Sequence, residues 1–123
     1  MRYPQLIVYE PDGRLAGILR PVATRHGWAV REPRRLGAVL TLLERGGPNA
    51  LLLRAGRDLE REFTLLDRVT ELFPDARAVV VVDAAHPRLV GLAWDLGATC
   101  VLTAEQPRER LVELVEALLG GGG

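Results

Sequence analysis

The sequence predicts an α/β fold: one three-layer, doubly wound domain built on a five-stranded parallel sheet. Three observations predict it. Five short apolar segments alternate with stretches of helical period, which is the βαβ pattern. Those segments are nearly continuous rather than apolar at every other residue, as expected where helices cover both faces of a sheet. The chain has 123 residues, which suits one domain and is too short for two ordinary ones.

The first strand is read at Leu6-Ile7-Val8-Tyr9. A helix should follow from about Gly13 to His26. Pro21 lies inside it, where it removes a donor and crowds the carbonyl of Gly17, so a kink or break is expected there. The second strand, Trp28-Ala29-Val30, leads to a helix starting with Pro33, stopping at Gly46-Gly47 and burying Leu36, Val39, Leu40 and Leu43. The third strand, Ala50 to Leu53, precedes Asp58, a good N-cap, and a helix with Leu59, Phe63, Leu66, Val69 and Phe73 on one stripe before Pro74 stops it. The fourth strand, Ala78 to Val82, leads to a helix opening at His86-Pro87 and closing at Gly97, a residue able to take the left-handed conformation. The fifth strand, Cys100 to Leu102, is followed by a helix from near Pro107 that buries Leu111, Leu114, Val115 and Leu118. The domain should span residues 1–119, with Gly120 to Gly123 a flexible tail that either ends the chain or begins a linker.

Right-handed crossovers leave few arrangements for five such strands, and the compact one has the order 2-1-3-4-5. Its site lies at the carboxyl ends of strands 1, 3 and 4. That names Tyr9, Glu10, Pro11 and Asp12 after the first strand, Arg54 to Arg57 after the third, and Asp83 and Ala84 after the fourth.

Composition narrows the function. Sixteen basic residues balance 16 acidic ones, which argues against holding nucleic acid by phosphate neutralisation, since that needs a basic excess. Every basic residue is Arg, Lys and Ser are absent, and there is one Asn, two Gln, one Met and one Cys. We read this first as a GC-rich coding bias and second as heat tolerance. Without lysine there is no Schiff-base chemistry and no lysine cradle for phosphate. The longest apolar run is Ala78 to Val82, and no charged leader precedes an apolar core. Neither a membrane span nor a signal peptide is expected, and the expected location is the cytoplasm. Cys100 alone can form neither an internal disulfide nor a cysteine metal cluster, and on a strand it reads as inert core.

From residue 5 to residue 119 the sequence resembles the receiver domain of two-component response regulators, a flavodoxin-like fold. Gly91-Leu92-Ala93-Trp94-Asp95-Leu96-Gly97-Ala98-Thr99-Cys100-Val101-Leu102-Thr103 is similar to that family's fourth helix, Gly-Ala turn and fifth strand. Leu6-Ile7-Val8-Tyr9-Glu10-Pro11 is similar to its first strand and acidic turn, and Pro48 to Leu53 to the strand leading to its phosphorylated aspartate. The resemblance implies a signalling role and also marks what is changed. The phosphoacceptor falls on Arg54 and the metal-binding acidic pair on Tyr9 and Glu10, with Asp12 nearby but out of register. The hydroxyl that senses the phosphoryl group falls on Asp83, the lysine on Ala104 and the switch aromatic on Val101. Phosphoryl transfer to a carboxylate needs an acceptor oxygen, a divalent cation and a fixed cation. A guanidinium stays protonated and is no nucleophile, so the chain is expected to be a pseudo-receiver.

Three constellations follow. Arg54 flanked by Glu10 and Asp83 can replace both metal and lysine by pairing with the carboxylates; the alternative is that Arg54 swings into solvent. Arg31, Arg34 and Arg35 near the start of the second helix, with Arg57, form a candidate anion-binding rim; the alternative is a solvated rim paired with Glu32 and Glu44. Trp94 beside Arg88, Asp95, Arg110 and Glu113 forms a candidate homodimer surface; the alternative is Trp94 packed inward under the fifth strand. His26 and His86 sit at helix ends with no second ligand at metal spacing and read as caps. Asp83 and His86 lack a partner nucleophile, so no enzyme, cofactor or metal is expected.

The expected function is a phosphorylation-independent receiver-like module that binds protein, a second copy first, with no nucleic acid or membrane partner. Its rival is a sensor for an anionic small ligand or nucleotide at the arginine rim. A third alternative, a cobalamin-binding or phosphotransferase component of the same topology, needs an Asp-x-His-x-x-Gly loop or a Cys after the first strand, and the sequence has neither.

Overall fold

The computed structural model describes residues 4–83 and 87–120. Along the chain run β1 (Gln5–Tyr9), α1 (Arg14–His26), β2 (Ala29–Arg31), α2 (Leu36–Glu44), β3 (Asn49–Ala55), α3 (Leu59–Leu72), β4 (Arg77–Val82), α4 (Pro87–Asp95), β5 (Cys100–Thr103) and α5 (Arg108–Leu119). All strands are parallel, in one sheet of order β2-β1-β3-β4-β5, as the sequence predicts.

Strand periodicity explains the two cores. Leu6, Val8, Ala50, Leu52, Val79, Val81 and Leu102 face α1 and α5, while Ile7, Leu51, Leu53, Ala55, Ala78, Val80 and Val82 face α2, α3 and α4. Side chains alternate between faces at every residue. A strand covered on both sides must therefore be apolar throughout, which is why its run is continuous.

α1 runs unbroken through Pro21, against the break the sequence suggests. An interior proline costs about 3 kcal/mol. Leu15 and Leu19 on one side of it and Val22 on the other are buried, and each such side chain contributes about 1.5–3 kcal/mol. Core packing on both halves outweighs the lost hydrogen bond. α2 begins at Leu36 rather than Pro33, because residues 33–35 run as a connection in which an Arg34 Nη1 donates to the Pro11 carbonyl at 3.2 Å. Within it Val39 and Leu43 are buried, and Leu36 and Leu40 are half-buried.

α3 is capped as expected, with the Asp58 side chain accepting from the Arg61 N–H, and Phe63, Leu66 and Val69 lie buried on its stripe. Leu59 at its start is exposed and Phe73 is half-buried just past its end. α5 buries Leu111, Val115 and Leu119, with Leu114 and Leu118 half-buried. Gly97, after α4, has φ 99°, and a Cβ there would lie 3.1 Å from Thr70 Cβ and Cγ2. Thr70 Oγ1 donates to the Leu96 carbonyl at 2.8 Å, so this turn both needs positive φ and ties α4 to α3. Gly120 is the C-cap of α5, while the rest of the expected tail, residues 121–123, lies outside the described residues, as do Ala84 and His86.

Candidate functional site

The sheet delivers three loops to one edge. β1 pairs with β3 to Tyr9↔Leu53, and β3 with β4 to Ala55↔Val82. The residues just beyond, Glu10 and Asp83, therefore arrive on either side of Arg54.

Arg54 lies between two carboxylates. Its Nε donates to Asp83 Oδ1 at 2.6 Å, and its Nη1 donates to Asp12 Oδ2 at 2.7 Å and Oδ1 at 2.9 Å. Its side chain is 13% exposed, so it does not swing into solvent. The Asp83 carboxylate raises its pKa, with Asp12 adding to this against the opposing effect of partial burial. Asp12 is held below the ordinary aspartate range, first by the Arg14 backbone N–H and then by Arg54.

The partner set differs from expectation at one position. Glu10 does not pair with Arg54. It is 7% exposed, and its Oε1 and Oε2 accept the Leu15 and Ala16 N–H groups at 2.8 and 2.9 Å. The first turn of a helix presents unpaired N–H donors, and Glu10, the first residue after β1, satisfies two of them. Asp12, two residues on and out of register, takes the place beside Arg54. The Asp12-Gly13 pair, a turn sequence just ahead of a helix, was the signal available for this.

Two further contacts escaped the sequence reading. Glu62, in α3, is buried and accepts the Gly56 N–H at 2.8 Å. Gly56 packs so closely on Asp83 that a Cβ there would lie 2.4 Å from Asp83 Oδ2. Together they fix the turn after β3 and hold Asp83 toward Arg54.

These residues do not fit a divalent cation. A cation site needs free carboxylate oxygens, but those of Glu10 cap α1, and a guanidinium stands between Asp12 and Asp83. Among the described residues no group of three or more His, Cys, Asp or Glu is placed to hold a metal. Tyr9 is half-buried in β1, and Ala104 is exposed after β5.

The arginine rim is only partly assembled. Arg34 and Arg57 line one groove of about 320 Å³ with Tyr9 and Arg61, whereas Arg31 and Arg35 do not line it. Glu32 pairs with Arg20 on α1 instead of with the rim. No ion pair joins Glu44 to the rim among the described residues.

His26 does more than end α1. Its Nε2 lies 2.7 Å from Glu116 Oε2 on α5, and its ring stacks on Trp28 with centroids 4.5 Å apart. This corrects the capping role. Cys100 is half-buried rather than fully buried, in a shallow groove with Arg110 and Glu113. Trp94 is 48% exposed, which overturns inward packing. Arg88, Asp95, Arg110 and Glu113 are exposed as well.

No family model and no curated protein matches the sequence. Solved structures do. The chain superposes on a CheY-like response regulator receiver domain protein from Methanospirillum hungatei with TM-score 0.78 at 17% identity, covering 97% of this chain and 95% of that one. It superposes equally on a putative response regulator from Chloroflexus aurantiacus, TM-score 0.78 at 20% identity, covering 97% and 99%. The signal receiver domain of an HD domain-containing protein from Pseudomonas fluorescens gives 0.80 at 16% identity, covering 98% and 89%. The likeness is one of fold: the chain has the architecture of response regulator receiver domains.

Proposed function

From the receiver architecture as premise, we propose that the chain is a signalling module that works without aspartyl phosphorylation, by binding protein and first of all a second copy of itself. One observation carries this reading. At the end of β3, where the resemblance puts a phosphoacceptor, a guanidinium is held by Asp83 and Asp12. The pair supplies internally the charge balance that a metal and a phosphoryl group would otherwise bring. The loops after β1, β3 and β4 are thereby tied in one arrangement. Output then depends on the concentration of the module and its partner.

For the pairing surface, Trp94 follows the buried Ala93 on α4, about 100° round the helix, and is exposed. α4 packs against β5, the edge strand of the sheet. Arg88, Asp95, Arg110 and Glu113 supply charges of both signs for a self-complementary rim.

Incubation with acetyl phosphate and magnesium should leave the intact mass unchanged. A stable gain of one phosphoryl group refutes phosphorylation independence. Sedimentation should show a concentration-dependent dimer for the native chain and a shift to monomer for Trp94→Ala; a native chain that stays monomeric refutes self-association.

The rival reading, an anion sensor at the rim, retains only Arg34 and Arg57 around one groove and is not preferred.

A further inference from the structure

A second cavity, of about 210 Å³, opens between the first turns of α1 and α5, on the opposite face of the sheet from the Arg34–Arg57 groove. Its floor is apolar, formed by Leu15, Ile18, Val81, Leu102 and Leu111. Its polar lining includes Arg14, Arg54 and Arg108, and among the described residues no carboxylate lines it.

Arg54 links this cavity to the clamp. Its Nε and Nη1 are taken by Asp83 and Asp12, while Nη2 donates to no described residue. Among the described residues no buried side-chain nitrogen lacks a partner, so Nη2 is accessible, and the cavity is the space that Arg54 borders. Asp12 and Asp83 both pair with Arg54, so Arg14 and Arg108 are the guanidiniums at the cavity mouth without an ion-pair partner among the described residues. The first turn of α5 has no side-chain cap, and its N–H groups add partial positive charge; Glu109 in the same turn is exposed and outside the lining.

Two unpaired guanidiniums over a small apolar floor are complementary to an organic anion. A planar carboxylate matches the guanidinium fork. The volume falls below the roughly 300–1,000 Å³ of sites for drug-sized ligands, so the apolar body must be small. We propose that this cavity binds a small organic carboxylate with an aryl or branched alkyl body, gripped between Arg14 and Arg108 and read by Arg54. The proposal goes beyond the protein-binding role and does not depend on it.

The test titrates the full chain with benzoate by calorimetry while following the methyl resonances of Ile18, Leu102 and Leu111. Saturable binding is expected, with those methyls shifting. A hydrogen bond to a charged group contributes about 1.5–3 kcal/mol, so Arg14→Ala and Arg108→Ala should each weaken binding roughly tenfold or more. Both side chains are exposed, and circular dichroism checks that the variants fold. Acetate, which lacks the apolar body, should bind at least as much more weakly. No saturable benzoate binding, equal affinity for acetate, or indifference to both arginine variants each overturns the proposal.

Discussion

Replacing Gly56 with alanine is expected to destabilise the protein by about 1–3 kcal/mol, the range for forcing an extra carbon into a packed site, and to lower the melting temperature by several degrees. The added Cβ would lie 2.4 Å from Asp83 Oδ2 and 2.6 Å from Asp83 Cβ and Cγ, so the strand-end carboxylate has to move. Asp83 also accepts the short bond from Arg54 Nε, and its displacement breaks that arm of the clamp. The effect should therefore be non-additive with Asp83→Ala. Once the glycine variant has separated the pair, deleting the carboxylate removes less, and the double variant should lose less stability than the sum of the singles. Thermal unfolding of the four proteins checks this; strict additivity would mean that Gly56 does not position Asp83.

Arg54→Ala should cost a similar amount, about 2 kcal/mol, by removing a charge-assisted bond to Asp83 and leaving two carboxylates facing each other without their cation. It should also change the acid limb of stability. Asp12 has a folded-state pKa below its unfolded value of 3.8. Its contribution is therefore fully present above that value and is lost as pH falls through the lower, folded one. Native protein should lose stability over this acid window. Asp12→Asn should flatten that part of the curve, and Arg54→Ala should flatten it partly, because the Arg14 backbone N–H remains as the larger cause of the shift. Denaturant unfolding between pH 5 and 2 measures it. Parallel native and Asp12→Asn curves would show that the carboxylate contributes nothing through its charge.

Both results bear on how the site works. A clamp that can be loosened from Gly56 or from Arg54 joins three loops through one guanidinium. That joining is the premise of the phosphorylation-independent role proposed above. Arg54 is also the one residue shared by the clamp and the α1–α5 cavity, so occupancy of that cavity would be felt at Asp12 and Asp83.

Much was legible in the sequence because it follows from local period and order. Continuous apolar runs between helical stretches require a doubly covered parallel sheet, and chirality then leaves little freedom in strand order. Strand ends place Arg54 and Asp83 at one rim whatever the side-chain details. Asp58 as a cap and Gly97 as a left-handed turn were likewise readable, because each acts within a few residues of itself. What only the tertiary structure decided was competition between partners remote or ambiguous in sequence. Glu10 and Asp12 both lay within reach of Arg54, and the choice fell to Asp12 because the open N–H groups of α1 took Glu10. Pro21 stayed inside its helix because burial on both sides outweighed one lost bond. His26 found Glu116, 90 residues away, and Gly56 met Asp83 across two strands. Sequence spacing determines which groups reach the same edge of the sheet; the energies of rival contacts there, set by distances that exist only after folding, determine which of them pair.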